Sequence, residues 1–220
     1  MSIEQNVKHI LSELPEGVKL VAAAKTRSVE EMLEAVKAGV YAIGHNYIKE
    51  AAAAYDSIGG TAKWHCIGHL QRNKVKKAVR IFDMIETVDS SELAEFINAE
   101  CAGHNKKMDI LIEINSACEV SKNGVMPEDV LQLADKIVLH NNLRLKGVMT
   151  MGPLFDDPAQ IRPFFRIAGD IFNVLKRRYE GIDELSMGMS DSYKIAVEEG
   201  ATMVRIGTAL FGRRNICKII

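Results

Sequence analysis

The sequence predicts a closed barrel of eight parallel β-strands, in which each strand is followed by an α-helix. Short apolar runs, several of them rich in β-branched residues, alternate along the 220 residues with segments of helical periodicity. Such alternation produces parallel βαβ units, and eight units in a chain of this length favour a (β/α)8 barrel. An open doubly wound sheet is the alternative, but the turn Ala23-Ala24-Lys25-Thr26 lacks a GxGxxG pattern.

The strand predictions follow the apolar runs in chain order. We expect strands at residues 18–23, 41–43, 63–67, 84–88, 108–115, 145–151, 184–187 and 203–206. Ahead of the first strand, Ser2 followed by Gln5 is a capping box, which predicts an additional N-terminal helix over residues 3–14. No low-complexity segment or linker divides the chain, so we expect one domain over residues 1–220.

Capping signals mark the first helices between the strands. Ser28 with Glu31 forms a second capping box, and Gly39 follows the last turn of the same helix. Residues 46–56 are rich in alanine and therefore favour a helix by intrinsic propensity. Ser90 is the expected N-cap of the helix after the fourth strand.

The later helices have weaker start signals. Residues 127–129 place a proline and two carboxylates where a helix is expected to begin. Ser190 or Ser192 is the expected cap of the helix that ends at Gly200.

Composition and charge exclude several classes of protein. The chain has 28 Lys and Arg against 29 Asp and Glu, so it lacks the basic excess of a nucleic-acid-binding protein. No segment approaches the roughly 18 apolar residues of a membrane span, and the N-terminus has no secretory signal pattern. The four cysteines form no CxxC pair. We therefore expect a cytoplasmic protein without nucleic-acid, membrane or metal binding.

Lys25 is the first candidate functional residue. In (β/α)8 barrels the chemistry takes place at the carboxyl ends of the strands. Lys25 follows the apolar run 20–24, so its amine is expected at the apolar mouth of the barrel, where a lysine can attack a carbonyl carbon. The alternative is an ordinary lysine whose head group reaches water from the end of a strand.

Two turns rich in glycine and hydroxyl groups follow the seventh and eighth strands. Barrels of this type frequently bind phosphate with these two loops. Ser186, Ser190 and Thr208 offer hydroxyl groups, and Gly188 and Gly207 allow backbone N–H groups to approach an anion closely. Either turn alone could be an ordinary connection, but together they predict a phosphate site.

Arg205 lies within the eighth predicted strand, so its guanidinium is expected in the barrel wall. A buried arginine is costly unless it is paired or faces a ligand. One alternative is a salt bridge to a barrel carboxylate such as Glu113. A nucleophilic lysine, a phosphate site and an inward arginine together suggest a phosphorylated aldehyde with a nitrogen heterocycle, which describes pyridoxal 5′-phosphate (PLP).

Seven segments, spread over nearly the whole chain, match one protein family in order. They are LVAAAKTRSVE, IGHNYIKE, WHCIGHLQRNK, TVDS, EVSKNG, LRLKGVMTM and LSMGMSDSYKIAVEEGATMVRIGTALFGRR. By these segments the chain resembles the pyridoxal phosphate homeostasis proteins, whose barrel is similar to the N-terminal domain of alanine racemase. The resemblance implies a fold-type III (β/α)8 barrel without the second, β-rich domain of the racemases.

The resemblance also implies the cofactor and its site. Lys25 would hold PLP as a Schiff base, and Arg205 would face the pyridine nitrogen. The remaining cofactor-binding positions implied are Asn46, Met149, Ser186, Met187, Gly188, Ser190, Gly207 and Thr208. Two residues depart from the family pattern, because His45 stands where a glutamate is usual and Cys66 where an aromatic residue is common. These departures leave the local surroundings of the ring open.

The function implied is PLP (vitamin B6) homeostasis, in which the protein holds, supplies and regulates the cofactor without an established reaction. After the eighth strand only residues 209–220 remain, too few for a racemase-like second domain with its opposing acid–base group. We expect a monomer, with PLP-dependent apo-enzymes as candidate receivers of the cofactor.

Two enzymatic functions are the alternatives. The first is a PLP-dependent amino-acid racemase or lyase of narrow specificity, with proton-transfer groups at an exposed mouth drawn from His65, His69, Tyr47 and Tyr193. The second is a Schiff-base aldolase that acts on phosphosugars through Lys25 or Lys146. The position of Lys146 early in the sixth strand counts against it.

Overall fold

The computed structural model describes residues 2–119, 122–153 and 155–213. Its strands are β1 (Lys19–Ala23), β2 (Ala42–His45), β3 (Lys63–Cys66), β4 (Met84–Val88), β5 (Met108–Ile114), β6 (Leu143–Thr150), β7 (Glu184–Ser186) and β8 (Met203–Ile206). Neighbours in the sequence pair in parallel, and β8 pairs with β1, which closes the barrel. The predicted (β/α)8 barrel is confirmed.

Helices surround the barrel and one precedes it. In the described ranges they are α1 (Ile3–Glu13), α2 (Val29–Ala38), α3 (Ile48–Ile58), α4 (Val75–Ile81), α5 (Ser91–Gly103), α6 (Val130–Ile137), α7 (Arg162–Arg178), α8 (Tyr193–Glu198) and α9 (Thr208–Phe211). Over those same ranges, none is both long and apolar enough to cross a membrane.

The predicted caps of the first helices are present. The Ser2 and Ser28 side chains both form complete capping boxes at the starts of α1 and α2. Gly39 ends α2 in the left-handed conformation, with φ of 108°. The Ser90 hydroxyl accepts a hydrogen bond from the N–H of Leu93 at the start of α5.

Ser192 occupies the predicted N-cap position of α8, but no serine side chain forms the expected capping hydrogen bond. The Ser192 hydroxyl accepts a hydrogen bond from the N–H of Met189 at 3.1 Å, and the Ser190 hydroxyl accepts one from the N–H of Ala209 at 3.1 Å. Both hydroxyls therefore bind amides of the loops after β7 and β8, and neither caps the helix. The start predicted for α6 is also early, because residues 127–129 form a 3₁₀ turn and the α-helix begins at Val130.

The interior of the barrel changes from apolar to polar along the strands. One buried layer consists of Val21, Ala42, Met84, Leu111, Met149 and Met203. Side chains two residues apart on a strand share a face, so the next inward positions toward the carboxyl ends hold polar groups. These are the buried residues Glu86, Glu113 and Arg205. They form the floor of the barrel mouth.

Candidate functional site

Lys25 lies two residues beyond β1, partly buried at the carboxyl end of the barrel. Its ammonium donates a hydrogen bond to the Tyr47 hydroxyl at 3.3 Å and lies 4.8 Å from the centroid of the Tyr47 ring. Tyr47 follows β2 and is 51% exposed. The next residue, Thr26, has φ of 63°, and its N–H donates to Glu50 of α3. The turn after β1 therefore holds the amine at an open mouth.

Arg205 projects from β8 into the polar floor and is 2% exposed. Its guanidinium donates to the Ser186 hydroxyl at 2.5 Å and to the Thr150 carbonyl at 2.9 Å. Its Nη1 also lies 3.8 Å from Oε2 of Glu86. The alternative prediction, a salt bridge between Arg205 and a barrel carboxylate, is therefore confirmed in kind. The partner is Glu86, however, and not Glu113.

Glu86 is the centre of a buried hydrogen-bond network that the sequence analysis missed. Its Oε2 accepts a hydrogen bond from Ser186 at 2.6 Å, and its Oε1 lies 2.7 Å from Nδ1 of His65. Burial raises the pKa of Glu86, but the hydrogen bonds from His65 and Ser186 and the charge of Arg205 outweigh it, so the pKa lies below its usual value. The sequence did contain a signal for this network, because Glu86 is a carboxylate within an apolar strand at a position that alternation directs into the barrel.

Glu113 occupies the other side of the floor and lines a cavity of about 460 Å³. It is 8% exposed, and its Oε2 has no hydrogen-bond partner among the described residues. Burial, with the charge of Asp89, raises the pKa of Glu113 to about 7 against the opposing charge of Arg205. The carboxyl group is therefore partly protonated near neutral pH.

The turns after β7 and β8 are joined to each other. The carbonyl of Gly188 accepts a hydrogen bond from the N–H of Arg205 at 3.0 Å. Gly188 has φ of 92°, and a Cβ there would lie 2.5 Å from Cβ of Ala196, so the turn requires glycine. Ser190 accepts from the N–H of Ala209, which follows the exposed Thr208. The two predicted phosphate-binding turns therefore form one connected surface.

This surface adjoins β1. A Cβ on Gly207 would lie 3.4 Å from the carbonyl oxygen of Ala23, two residues before Lys25. On the other side of β1, Asn46 follows β2 and is partly buried next to Tyr47. The structure therefore brings Lys25, Asn46 and the two glycine turns together in one sector of the mouth.

Three other predicted positions lie deeper. The Ser186 side chain is fully buried, with its hydroxyl bound to both Glu86 and Arg205. Met149 packs in the apolar layer of the barrel interior. Met187 packs in the outer core between strands and helices, so only its backbone can face the mouth.

The comparison with known proteins places the chain in a family. Residues 1–215 match the family model described as alanine racemase, N-terminal domain. The chain belongs to this family. The pyridoxal phosphate homeostasis protein of Vibrio alginolyticus is 36% identical over 230 residues, which cover 97% of this chain and 98% of that protein. The resemblance stated from the sequence segments is thereby confirmed.

Solved structures of other proteins show the same barrel. PipY of Synechococcus elongatus PCC7942 with PLP bound is 31% identical with a TM-score of 0.87, over 96% of this chain and 100% of that chain. An alanine racemase of Clostridium difficile 630 has a TM-score of 0.83 at 18% identity, and the match covers 61% of the racemase. At this low identity, the similarity to the racemase shows a shared fold alone.

Both departures from the family pattern lie outside the mouth. His45 of β2 is stacked on Trp64 with the ring centroids 5.8 Å apart, and Cys66 packs in the outer core. Burial lowers the pKa of His45 to about 4 and raises the pKa of the Cys66 thiol to about 12. Neither side chain therefore faces the mouth of the barrel.

Two of the four proton-transfer candidates were wrongly expected at an exposed mouth. His65 is 1% exposed and pairs with Glu86. Tyr193 is 9% exposed, and its hydroxyl donates to Glu13 of α1. Only Tyr47 and His69 are accessible, and His69 lies 3.7 Å from Asp89.

Lys146 lies away from the mouth. Its ammonium donates to Asp183 at 2.9 Å, and Asp183 immediately precedes β7 at the amino end of the barrel. The aldolase alternative therefore keeps Lys25 as its nucleophile.

Proposed function

We propose that this chain binds PLP through Lys25 and serves in PLP homeostasis, holding and supplying the cofactor without a rapid reaction of its own. The observation that supports this most directly is the arrangement of Lys25 and Arg205. The two cations come from the neighbouring strands β1 and β8, with the glycine turns beside them. The name of the Vibrio alginolyticus relative and the PLP bound to PipY support the same assignment.

The residues at the mouth fit the three polar parts of PLP. The Lys25 amine can bond to the aldehyde carbon while the aldehyde oxygen leaves as water, which gives a Schiff base. The Ser190 and Thr208 hydroxyls and the backbone at Gly188 and Gly207, which lie on adjoining turns, would hold the phosphate. When bound, PLP supplies an electron sink for carbanions formed next to its imine nitrogen.

Arg205 fits the pyridine nitrogen. Its pairing with Glu86 offsets part of the cost of burying the cation, so the arginine remains charged. A cation opposite the ring nitrogen disfavours protonation of that nitrogen and weakens the electron sink. This weakening supports cofactor storage over rapid chemistry.

Ser186 supports the ring side of the site in this proposal, although its hydroxyl was predicted to bind phosphate. The hydroxyl donates to Glu86 and accepts from Arg205, and it is fully buried. It therefore holds the guanidinium in place, while the phosphate falls to Ser190, Thr208 and the backbone from Met187 to Gly188.

The shortage of proton-transfer groups supports a non-catalytic role over a racemase or lyase. Racemases need acid–base groups on both faces of the substrate carbon. Among the four candidates, His65 and Tyr193 are buried, and the Tyr47 hydroxyl accepts a hydrogen bond from the Lys25 ammonium. His69 is exposed and lies 3.7 Å from Asp89, so at most one further group remains for the opposite face. We propose PLP-dependent apo-enzymes as the receivers of the cofactor.

The absorbance spectrum after addition of PLP tests the proposal. We expect a visible band in the wild type that sodium borohydride removes, with the reduced cofactor attached to Lys25 by peptide mass mapping. Lys25→Ala lacks the band and the attachment. Lys49→Ala, which removes an exposed lysine from the same mouth, keeps both. No band in the wild type, or a band that survives in Lys25→Ala, would overturn the assignment.

The catalytic part of the proposal has a separate readout on the same proteins. We expect the wild type in D₂O to exchange the α-protons of a panel of amino acids no faster than Lys25→Ala does. Rapid exchange that depends on Lys25 would show an enzyme, while leaving the binding of PLP intact.

A further inference from the structure

The 460 Å³ cavity lies beside the proposed PLP positions and is formed by different loops. The ends of β5, β6 and β7 and the loops after them form its walls. The residues that line it include Glu113, Asn115, Lys122, Met151 and Met189. Lys25, Asn46, Ser190 and Thr208 are not part of its lining. The cavity and the PLP site meet near Arg205, whose Nη2 lies 3.8 Å from Sδ of Met151.

Glu113 gives this cavity an unmet hydrogen-bond acceptor. The residue is 92% buried, and its Oε2 is without a hydrogen-bond partner in the described part of the chain. Leaving a buried carboxyl oxygen unpaired costs free energy, because the group loses water and gains no replacement. A ligand that donates N–H groups would supply what the protein does not.

The cations near the cavity are already engaged. Arg205 donates to Ser186 and Thr150, and its nearest carboxylate is that of Glu86. The ammonium of Lys122, on the cavity rim, donates to Glu119 at 2.8 Å. The uncompensated charge of Glu113 therefore favours a positively charged ligand over a neutral donor.

We propose that this cavity binds a small primary ammonium compound whose N–H groups donate to the Glu113 carboxylate. The apolar residues Met151 and Met189 line the space around the carbon skeleton of such a ligand. The proposal does not depend on PLP, since the residues that form the cavity are outside the proposed PLP site.

Binding is expected to strengthen as the pH rises from 6 to 8. The charged groups that shift the pKa of Glu113 are Arg205 on β8 and Asp89 after β4. Lys122 also lines the cavity, and Glu86 with its partner His65 lies in the same polar floor. Burial and Asp89 hold the pKa of Glu113 near 7, so its carboxylate forms across this pH range. A primary ammonium group keeps its charge over the same range.

Calorimetric titration of the full chain tests this site. The protein is first freed of cofactor and checked for the absence of a visible band, because a primary amine would also react with a bound aldehyde. The probes are ethylammonium, L-alanine and propionate. We expect ethylammonium and L-alanine to bind at pH 8 and about tenfold more weakly at pH 6, where about one tenth of the Glu113 carboxyl groups are ionised, and propionate not to bind. Tighter binding of L-alanine than of ethylammonium would identify an amino acid as the ligand class.

Variants separate the carboxylate from the cavity. Glu113→Gln keeps the shape of the side chain and is expected to weaken ethylammonium binding at least tenfold. Glu113→Asp keeps the charge and is expected to retain binding, and Glu128→Gln, an exposed carboxylate on the turn after β5, is expected to bind as the wild type does. Absence of binding to the wild type, equal binding by Glu113→Gln, or binding of propionate as strong as that of ethylammonium would overturn the proposal.

Discussion

At the scale of single residues, Glu113 links stability to pH. Its pKa is about 7 in the folded protein, whereas the ordinary value for a glutamate, which applies to the unfolded chain, is 4.5. Between these pH values the folded chain binds an additional proton at Glu113, so the contribution of Glu113 to the free energy of unfolding falls as the pH rises from 4.5 to 7 and then levels off. The folded state therefore contains a carboxylate at pH 8 that opposes folding.

Replacing this carboxyl group is expected to stabilise the protein at high pH. A pKa difference of this size corresponds to about 3 kcal/mol. Glu113→Gln should therefore exceed the wild type in free energy of unfolding by a margin that grows by about that amount between pH 4.5 and pH 8. Urea unfolding at both pH values measures it, with Glu128→Gln as the control. A margin that does not change with pH would contradict the interpretation.

The pairing of Arg205 shows what the sequence could and could not reveal about the site. Lys25 and Arg205 stood out because each is a charged residue in or after an apolar strand. Glu86 lies on β4, across the barrel from Arg205 on β8, so only the closed barrel brings them together. Alternation indicates that a side chain faces inward, but it does not indicate which other inward side chain it meets.

At the scale of elements, Gly147 controls the register of β6 between its neighbours. Ile110 pairs with Leu145 and Leu111 pairs with Gly147, so Lys146 is an extra residue on β6. Gly147 has φ of 149°, and a Cβ there would lie 1.8 Å from the carbonyl oxygen of Glu184 in β7. The bulge and the close approach of β7 therefore both depend on glycine.

Gly147→Ala is expected to lower the free energy of unfolding by about 4 kcal/mol or more, because steric overlap adds to an unfavourable φ. Gly103→Ala is the matched control. Gly103 is the last residue of α5, is exposed and has open space around its Cβ, so alanine should stabilise by about 0.4–1 kcal/mol. Urea unfolding compares the two. A loss below about 1 kcal/mol in Gly147→Ala would show that β7 can move away at little cost.

The elements themselves were largely predictable. All eight strands lie where the apolar runs predicted them, and the capping boxes at Ser2 and Ser28 start their helices. The partners of the two serine hydroxyls near α8 were not predictable, because a serine hydroxyl binds any amide that tertiary structure brings near it. Ser190 and Ser192 found loop amides from Ala209 and Met189.

At the scale of the whole molecule, the N-terminal helix α1 packs against the last two helices of the described ranges, α8 and α9. The Asn6 side chain donates to the carbonyl of Leu210 in α9 at 2.9 Å. Glu13 accepts hydrogen bonds from Tyr193 and Lys194 of α8. Helix α1 therefore connects α8 and α9, the helices that follow the two loops proposed for phosphate, although it lies outside the barrel.

The surface of the molecule predicts a monomer. In the described ranges, the exposed large apolar side chains are Tyr47, Val138, Leu139, Met151 and Phe155. Three of these side chains lie at the mouth, after β2 and β6, and belong to Tyr47, Met151 and Phe155. The other two, Val138 and Leu139, lie after α6 at the opposite end of the barrel. Because the exposed apolar side chains of the described ranges are divided between two ends, no single apolar face among them approaches the area of roughly 800 Å² that each partner buries in a stable interface.

Light scattering during size-exclusion chromatography is therefore expected to give the mass of one chain, 24.4 kDa, both with and without PLP. A dimer mass would contradict the prediction, and the two exposed groups would then locate the interface. Leu139→Glu disrupts a dimer formed through the amino end of the barrel, and Met151→Glu disrupts one formed through the mouth. Only the second interface would close the entrance to Lys25, so it would also slow the uptake of PLP.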